Sequence, residues 1–522
     1  MLDLVIRGAR VVDGTGRPWR RSDVGIRGDR IVLVGEVDEL AAAAIDAEDR
    51  VLAPGFIDMH SHSDLSVLRE PLQEMKISQG VCTELVAQDG LGCAPVRGQS
   101  RERVAELVAG LVGEYGDWTW TSVSEYLEAI DGSAAVNIAM LAPHATIRSD
   151  YLGGEDRPAT DDELSVMAAA VERAMADGAF GFSTGLEYEP TTSANTEEVI
   201  ALAAAAGRRG GFYVTHVRDY DLHFLEALAE AAAICRGAEL PLHYSHYHCY
   251  GRRNYGLGPT IRRDAELAAE RGLDVSFDIY PYTAGTTYAH WFLSRDPDER
   301  TIPALRRTLA SPEGRSRLIA ALDREGMPVD IGWEACYPGA GGELIGAEGR
   351  SLADLASERG EHPGELLMQL AERSDFTATM NGVMTDAADI DGTIHHPFAT
   401  VGSDAILHGG GLHPRGWGSF AKVIRLYVCE RESMTIEQAV AMMSGRPAAR
   451  LRLRDRGVIE RGAVADLALF EPASVRDEAT YSEPTRVASG FDLVLVGGTP
   501  VWKDGAATGE TPGRGLRSAG SA

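Results

Sequence analysis

Residues 51–65, "VLAPGFIDMHSHSDL", pass from an apolar run straight into an HxH pair, His60 and His62. Alternate side chains of an extended chain share a face, so both imidazoles can converge on one ion at the end of such a strand. Downstream, short apolar strands alternate with longer Ala/Leu/Glu-rich helices, the pattern of βα units and a parallel sheet. Eight strands are read, at about 51–57, 82–87, 136–141, 179–183, 212–216, 241–246, 274–279 and 398–403. Eight such units predict an α/β fold of the (β/α)8, or TIM-barrel, kind, whose functional residues sit where the strands end.

Outward from the barrel, both termini change character. "LVIRGARVVDG" and "DVGIRGDRIVLVG" near the start, and "GVIERGAVADLALFEP" and "FDLVLVGGTPVWKDG" near the end, alternate apolar and polar residues between turns. They predict short antiparallel strands that pair into one small β-sandwich. The expected division is sandwich over 1–55 and 447–508, barrel over 56–446, and a disordered Gly/Arg/Ser/Ala tail over 509–522. The last two barrel strands lie too far apart for one βα unit, so residues 286–348 read as an insertion near the barrel mouth, a candidate lid.

With 50 Lys+Arg against 78 Asp+Glu, the net charge of −28 repels nucleic acid and anionic membrane surfaces. The expected partner is a small molecule. An anionic one is allowed, because a few arginines in a cleft outweigh the average charge at short range. The start "MLDLVIRGARVVDG" lacks the basic and long apolar regions of a signal peptide, and no run of about 18 apolar residues is found, so the chain reads as cytoplasmic. Six cysteines without CxxC spacing read as reduced thiols.

The polar residues at the strand ends form a metal-ligand set. Strand one supplies His60 and His62, strand two Asp89 in "AQDG", strand five His216 in "VTHVR", strand six His246 in "HYSHYH", and strand eight Asp404 in "VGSDA". A single histidine at a strand end is ordinarily structural; six such residues from five strands point to one or two bound ions.

This order of ligands resembles the amidohydrolase superfamily, which sets a (β/α)8 barrel beside a β-sandwich. "GVCTELVAQDGLGCAPV", "GAFGFSTGLEYEP", "VTHVRD", "SHYHCYGRRNYG", "DIYPYTAGTT", "VGSDA", "HPRGWGSF" and "DRGVIERGAVADLALFEP" resemble successive motifs of the N-acyl-D-amino-acid deacylase, or D-aminoacylase, family over about residues 50–505. The resemblance implies metal-dependent removal of the acyl group from N-acyl-D-amino acids, with zinc as the expected ion. Dipeptide cleavage at Xaa-D-Xaa bonds, a cyclic-amide hydrolase of the hydantoinase or dihydroorotase type, and a non-catalytic metal-binding scaffold are the alternatives.

Two positions depart from the family. Its "GNCG" cysteine, a metal bridge, is replaced by Asp89, whose harder carboxylate leaves manganese or another divalent ion open; Cys93, four residues on, is the other candidate. Its lysine after the strand-six histidine is replaced by His248, charged only when its pKa exceeds ambient pH. The bridging lysine of many superfamily members has no counterpart near strand four, where Glu187 is the one acid within reach. The resemblance further implies Asp404 as the general base that becomes a general acid. It implies a site for the substrate carboxylate. Arg415 in "HPRGWG" is the first candidate, Tyr282 and Tyr188 follow, and His248 and His144 are further substrate contacts. Arg218, two past His216, reads equally as a substrate ligand or a structural partner.

Overall fold

Eight parallel strands close into a barrel in the computed structural model, which describes residues 1–521 apart from 117, 156, 348 and 409–411. The strands are Phe56–Asp58, Val81–Val86, Asn137–Met140, Gly181–Gly185, Phe212–His216, Leu242–Tyr244, Val275–Ile279 and Ala399–Val401. Strand two pairs with one and three, and four through eight pair in succession, all parallel. Ala142–Pro143, continuing strand three, pairs with Phe182 and Ser183 of strand four. Between strands eight and one, Met59 N donates to Val401 O at 3.1 Å and Asp404 N to His60 O at 2.8 Å. That last bond closes the ring and draws the ends of strands one and eight together. Strands two, four, five and seven are buried at every residue, as expected where helices cover one face and the barrel interior the other.

The first apolar run is divided between two domains. Val51–Pro54 pairs antiparallel with Leu467–Phe470 in a nine-stranded sheet that both termini build, and Phe56–Asp58 begins the barrel. This β-sandwich domain has its own core, including Ile6, Val24, Ile26, Leu52, Leu467, Leu469 and Leu495.

The insertion is longer than its expected span of 286–348. It opens with Ala284–Tyr288 and closes with Thr379–Val383, which pair antiparallel, with Cys336–Pro338 on the far side of the closing strand. Its later helices, Leu352–Arg359 and Pro363–Arg373, are amphipathic like barrel helices, so periodicity alone does not separate them from the barrel.

The tail expected to be disordered over 509–522 is instead docked along strand three; Ala522 itself lies outside the described residues. Gly513 N donates to Ala134 O at 2.7 Å, Ile138 N to Arg514 O at 3.0 Å and Leu516 N to Ile138 O at 2.7 Å. A Cβ at Gly513 would lie 2.0 Å from Val136 O, and one at Gly515 2.2 Å from Leu127 O. The glycines that suggest disorder by composition here permit close backbone approach.

All six cysteines are unpaired thiols. No helix among the described residues is long and apolar enough to cross a membrane.

Candidate metal centre

Three of the strand-end residues sit in left-handed backbone: Asp89 at φ 55°, His246 at φ 30° and Asp404 at φ 49°. Such conformations cost about 1–3 kcal/mol each and persist where surrounding bonds over-determine them. Asp404 is held by its N–H to His60 O, and His246 by its N–H to Asp278 Oδ1 at 2.8 Å. Beneath them, Lys76 is fully buried, with Nζ 2.6 Å from Asp58 and 3.1 Å from Glu84. Asp58 in turn accepts from Ser403 N at 2.8 Å and His60 N at 3.2 Å, fixing the ends of strands one and eight.

The six side chains converge at the C-terminal end of the barrel as two donor sets sharing one carboxylate. His60, His62, Asp89 and Asp404 form the first; Asp89, His216 and His246 form the second. His62 Nε2 lies 3.3 Å from Asp404 Oδ1 and 3.5 Å from Asp89 Oδ2. On the other side Asp89 Oδ2 is 3.8 Å from His246 Nε2 and 3.9 Å from His216 Nδ1. His60 Nε2 and Asp89 Oδ1 lie 3.7 Å apart, both buried and neither hydrogen-bonded. Buried polar atoms without partners are costly, and a divalent cation held by these residues would satisfy them. The donor chemistry fits one or two such ions.

Burial disfavours charge on both rings and carboxylates, and the mutual fields overcome it. His60 is raised well above an ordinary imidazole because Asp278, Asp89 and Asp404 outweigh its desolvation. Against the same desolvation, Arg415 and then His60 hold Asp404 below the usual carboxylate range.

The donors face a small cavity of about 30 Å³, room for about one water. It adjoins a cavity of about 940 Å³, the two sharing Glu187, Tyr188 and Trp291. Arg415 lines the smaller one, fully buried, its Nη1 2.7 Å from Asp404 Oδ2 and its guanidinium over the Tyr280 ring. Tyr188 lines both, its ring against His216 and its hydroxyl 2.9 Å from Thr287 Oγ1.

Three candidate substrate contacts fall outside the pocket lining. Tyr282 is turned away, its ring 3.8 Å from Lys422 Nζ and packed edge-on to His413. Strand seven ends at Ile279, so alternation no longer governs direction at residue 282, and Tyr280 occupies the pocket wall. His144 opens the helix His144–Leu152 and is buried against Phe182, with Nε2 3.2 Å from Glu198, which also pairs with Arg148. His248 stacks behind Tyr280 at 4.3 Å; burial, aided by His246, pushes its pKa down to about 3, so it is neutral near pH 7. Arg218 is structural, bound to Glu230 and to the carbonyls of Thr192 and Ala194. Cys93 is buried and belongs to neither donor set.

Sequence reasoning missed Asp278 and Tyr280. A lone carboxylate inside the apolar strand "VSFDI" was the available signal for Asp278. Its Oδ2 lies 3.3 Å from His60 Nδ1 and 3.1 Å from His243 Nε2. Glu187, on the cavity side, lies 2.9 Å from His216 Nε2.

A closed barrel whose strand ends bring imidazoles and carboxylates into two linked donor sets, beside a two-terminus β-sandwich, is a framework suited to hold one or two divalent ions at the mouth of a cavity. The chain belongs to the amidohydrolase family, whose pattern matches residues 43–332 and 368–502 and breaks inside the insertion. A D-aminoacylase of Alcaligenes xylosoxydans xylosoxydans is 35% identical over 514 residues, 98% of this chain and 97% of that protein. An N-acyl-D-aspartate deacylase of the same organism is 34% identical over 517 residues, 98% of this chain and 94% of that one. The crystal structure of an N-acyl-D-glutamate deacylase from Bordetella bronchiseptica, complexed with zinc and a phosphonate mimic of the tetrahedral intermediate, matches with a TM-score of 0.85. It is 32% identical, and the match covers 99% of this chain and 100% of the other.

Proposed function

We propose that this chain hydrolyses the linear amide of N-acyl-D-amino acids, releasing a carboxylic acid and the free D-amino acid. The observation that carries the reading is the pair of donor sets joined at Asp89, with Asp404 and Arg415 facing the same small cavity. The likeness to deacylases of D-amino acids supports the substrate class. His60, His62, Asp89 and Asp404 would hold one ion, and Asp89, His216 and His246 a second. Zinc is the first choice, and the carboxylate of Asp89 accommodates manganese as well.

A cation bound there supplies a water acidified toward neutral pH and a polarised amide carbonyl. Asp404, kept ionised by Arg415, accepts the proton of the attacking water and delivers it to the nitrogen as the C–N bond breaks. Arg415 Nε and Nη2 carry no hydrogen bond, leaving an edge of the guanidinium for the substrate's α-carboxylate. With His248 neutral behind Tyr280, Arg415 is the one Arg or Lys among the described residues lining the smaller cavity. Tyr188 and Tyr280 shape its walls. Trp291 and Val329 reach it from the insertion, supporting a lid that excludes water.

The test combines metal analysis of the purified protein with a screen of N-acetyl-D- and N-acetyl-L-amino acids for released amine, Xaa-D-Xaa dipeptides alongside. Expected are bound divalent metal, chelator-sensitive turnover and preference for the D series. Cleavage of the dipeptides with none of the N-acetyl compounds would replace deacylation by dipeptide hydrolysis. Undiminished activity after metal removal would defeat the mechanism.

A further inference from the structure

Behind the two donor sets, the fully buried Asp278 touches a ligand of each: the His60 ring by one oxygen and the His246 backbone by the other. An ionised carboxylate accepts hydrogen bonds and donates none. Every group facing it must therefore present N–H. His60 does so through Nδ1, and His243 through Nε2, its own Nδ1 lying 2.7 Å from Ser276 Oγ. With the retained proton on Nδ1, the lone pair of His60 lies on Nε2, the atom that faces Asp89 and Asp404 without a hydrogen bond. The second oxygen receives His246 N–H and pins a residue at φ 30°, whose ring belongs to the other donor set.

We propose that Asp278 is a positioning residue for the metal centre: it selects the His60 tautomer that leaves Nε2 free to bind a cation and anchors the strained backbone that carries His246. The inference rests on the reading of the donor sets as a metal site. Its sharpest consequence concerns Asp278→Asn, which keeps size and shape. The Asn oxygen must stay toward His246 N–H, because the amide NH2 cannot accept that proton. The NH2 then faces His60 Nδ1, which must become an acceptor. The ring proton moves to Nε2 and blocks the cation. A merely structural role predicts no such effect, since an amide fills the same space and keeps the bond to His246.

The experiment strips wild type and D278N of metal with chelator, verifies folding by circular dichroism, and titrates zinc against a chromogenic competitor. Cobalt absorption reports ligand geometry in parallel. A folded D278N should bind zinc 10–100-fold more weakly than wild type, the range seen when the carboxylate behind a metal-bound histidine is lost. Unchanged affinity and an unchanged cobalt spectrum in folded D278N overturn the inference while leaving the metal reading intact. A wild-type chain that takes up no zinc or cobalt overturns the metal reading itself. If D278N does not fold, ring-15N-histidine spectra of zinc-loaded wild type decide, with the His60 signal assigned from its loss in H60Q. A proton on His60 Nδ1 supports the inference, and a proton on Nε2 overturns it.

Discussion

Replacing Asp404 with Asn tests the catalytic reading and the energetics of the site together. The substitution keeps an oxygen near His62 Nε2, 3.3 Å away in the native protein, but removes the negative charge and the ability to take a proton. Losing a general base lowers turnover by about 10²–10⁴-fold, or about 3–5 kcal/mol in the barrier. The change has a second cost. Arg415 is fully buried, and Asp404 is the one carboxylate paired with it among the described residues. Breaking a buried pair from one side costs about 3–5 kcal/mol, because the remaining charge is stranded. The cavity beside this pair holds about one water, which favours the lower end. D404N should therefore be nearly inactive, still contain metal through Asp89 and the histidines, and be less stable in urea by about 3 kcal/mol. Adding R415M should recover part of that stability, since no stranded charge remains, without recovering turnover. The assays are metal content, initial rates and equilibrium urea unfolding of the single and double variants. D404N with near wild-type rates refutes the proton-transfer role. D404N inactive but as stable as wild type refutes the buried-pair argument and leaves the chemistry standing.

Arg415→Ala should lower kcat/KM for both N-acyl amino acids and their carboxamides, because Asp404 loses the partner that keeps it ionised, and should penalise the acids further through the lost carboxylate contact; equal losses on both would confine Arg415 to holding Asp404. Deleting residues 510–522 should lower stability measurably, because five backbone hydrogen bonds from 513–518 to residues 132–138 and 178 are lost, each worth about 0.5–1.5 kcal/mol net; an unchanged melting temperature would mean that the tail contributes nothing. In chelator-treated protein, Asp404 and Asp278 are both held below the ordinary carboxylate range, against burial, by Arg415 and His60 for the first and by His60 and His243 for the second. Their stabilisation is therefore complete above the unfolded value of about 3.9 and is lost as pH falls below it. Urea midpoints measured from pH 6 down to pH 3 should fall most steeply below about pH 4, and D404N should show a shallower slope.

Much of this architecture was legible because it depends on local pattern. Apolar runs followed by amphipathic helices specify βα units, and a barrel gathers whatever ends its strands. His60, His62, Asp89, His216, His246 and Asp404 could be picked from five separate stretches for that reason, and they lie together in two donor sets. The insertion was visible as excess length, but its end at Val383 was not, because its helices carry the same periodicity as barrel helices.

What the chain order alone determined was the succession of strands and helices and the identity of the groups at the strand ends, since both follow from side-chain spacing. The tertiary structure decided where each side chain points once a strand has ended, which is why Tyr280 lines the pocket and Tyr282 does not. It also decided that Asp89, His246 and Asp404 adopt left-handed backbone, that Asp278 hydrogen-bonds both His60 and His246, far apart in the chain, and that a glycine-rich tail docks. These features arise from hydrogen bonds and close contacts between segments distant in sequence, and no local window of residues contains both partners.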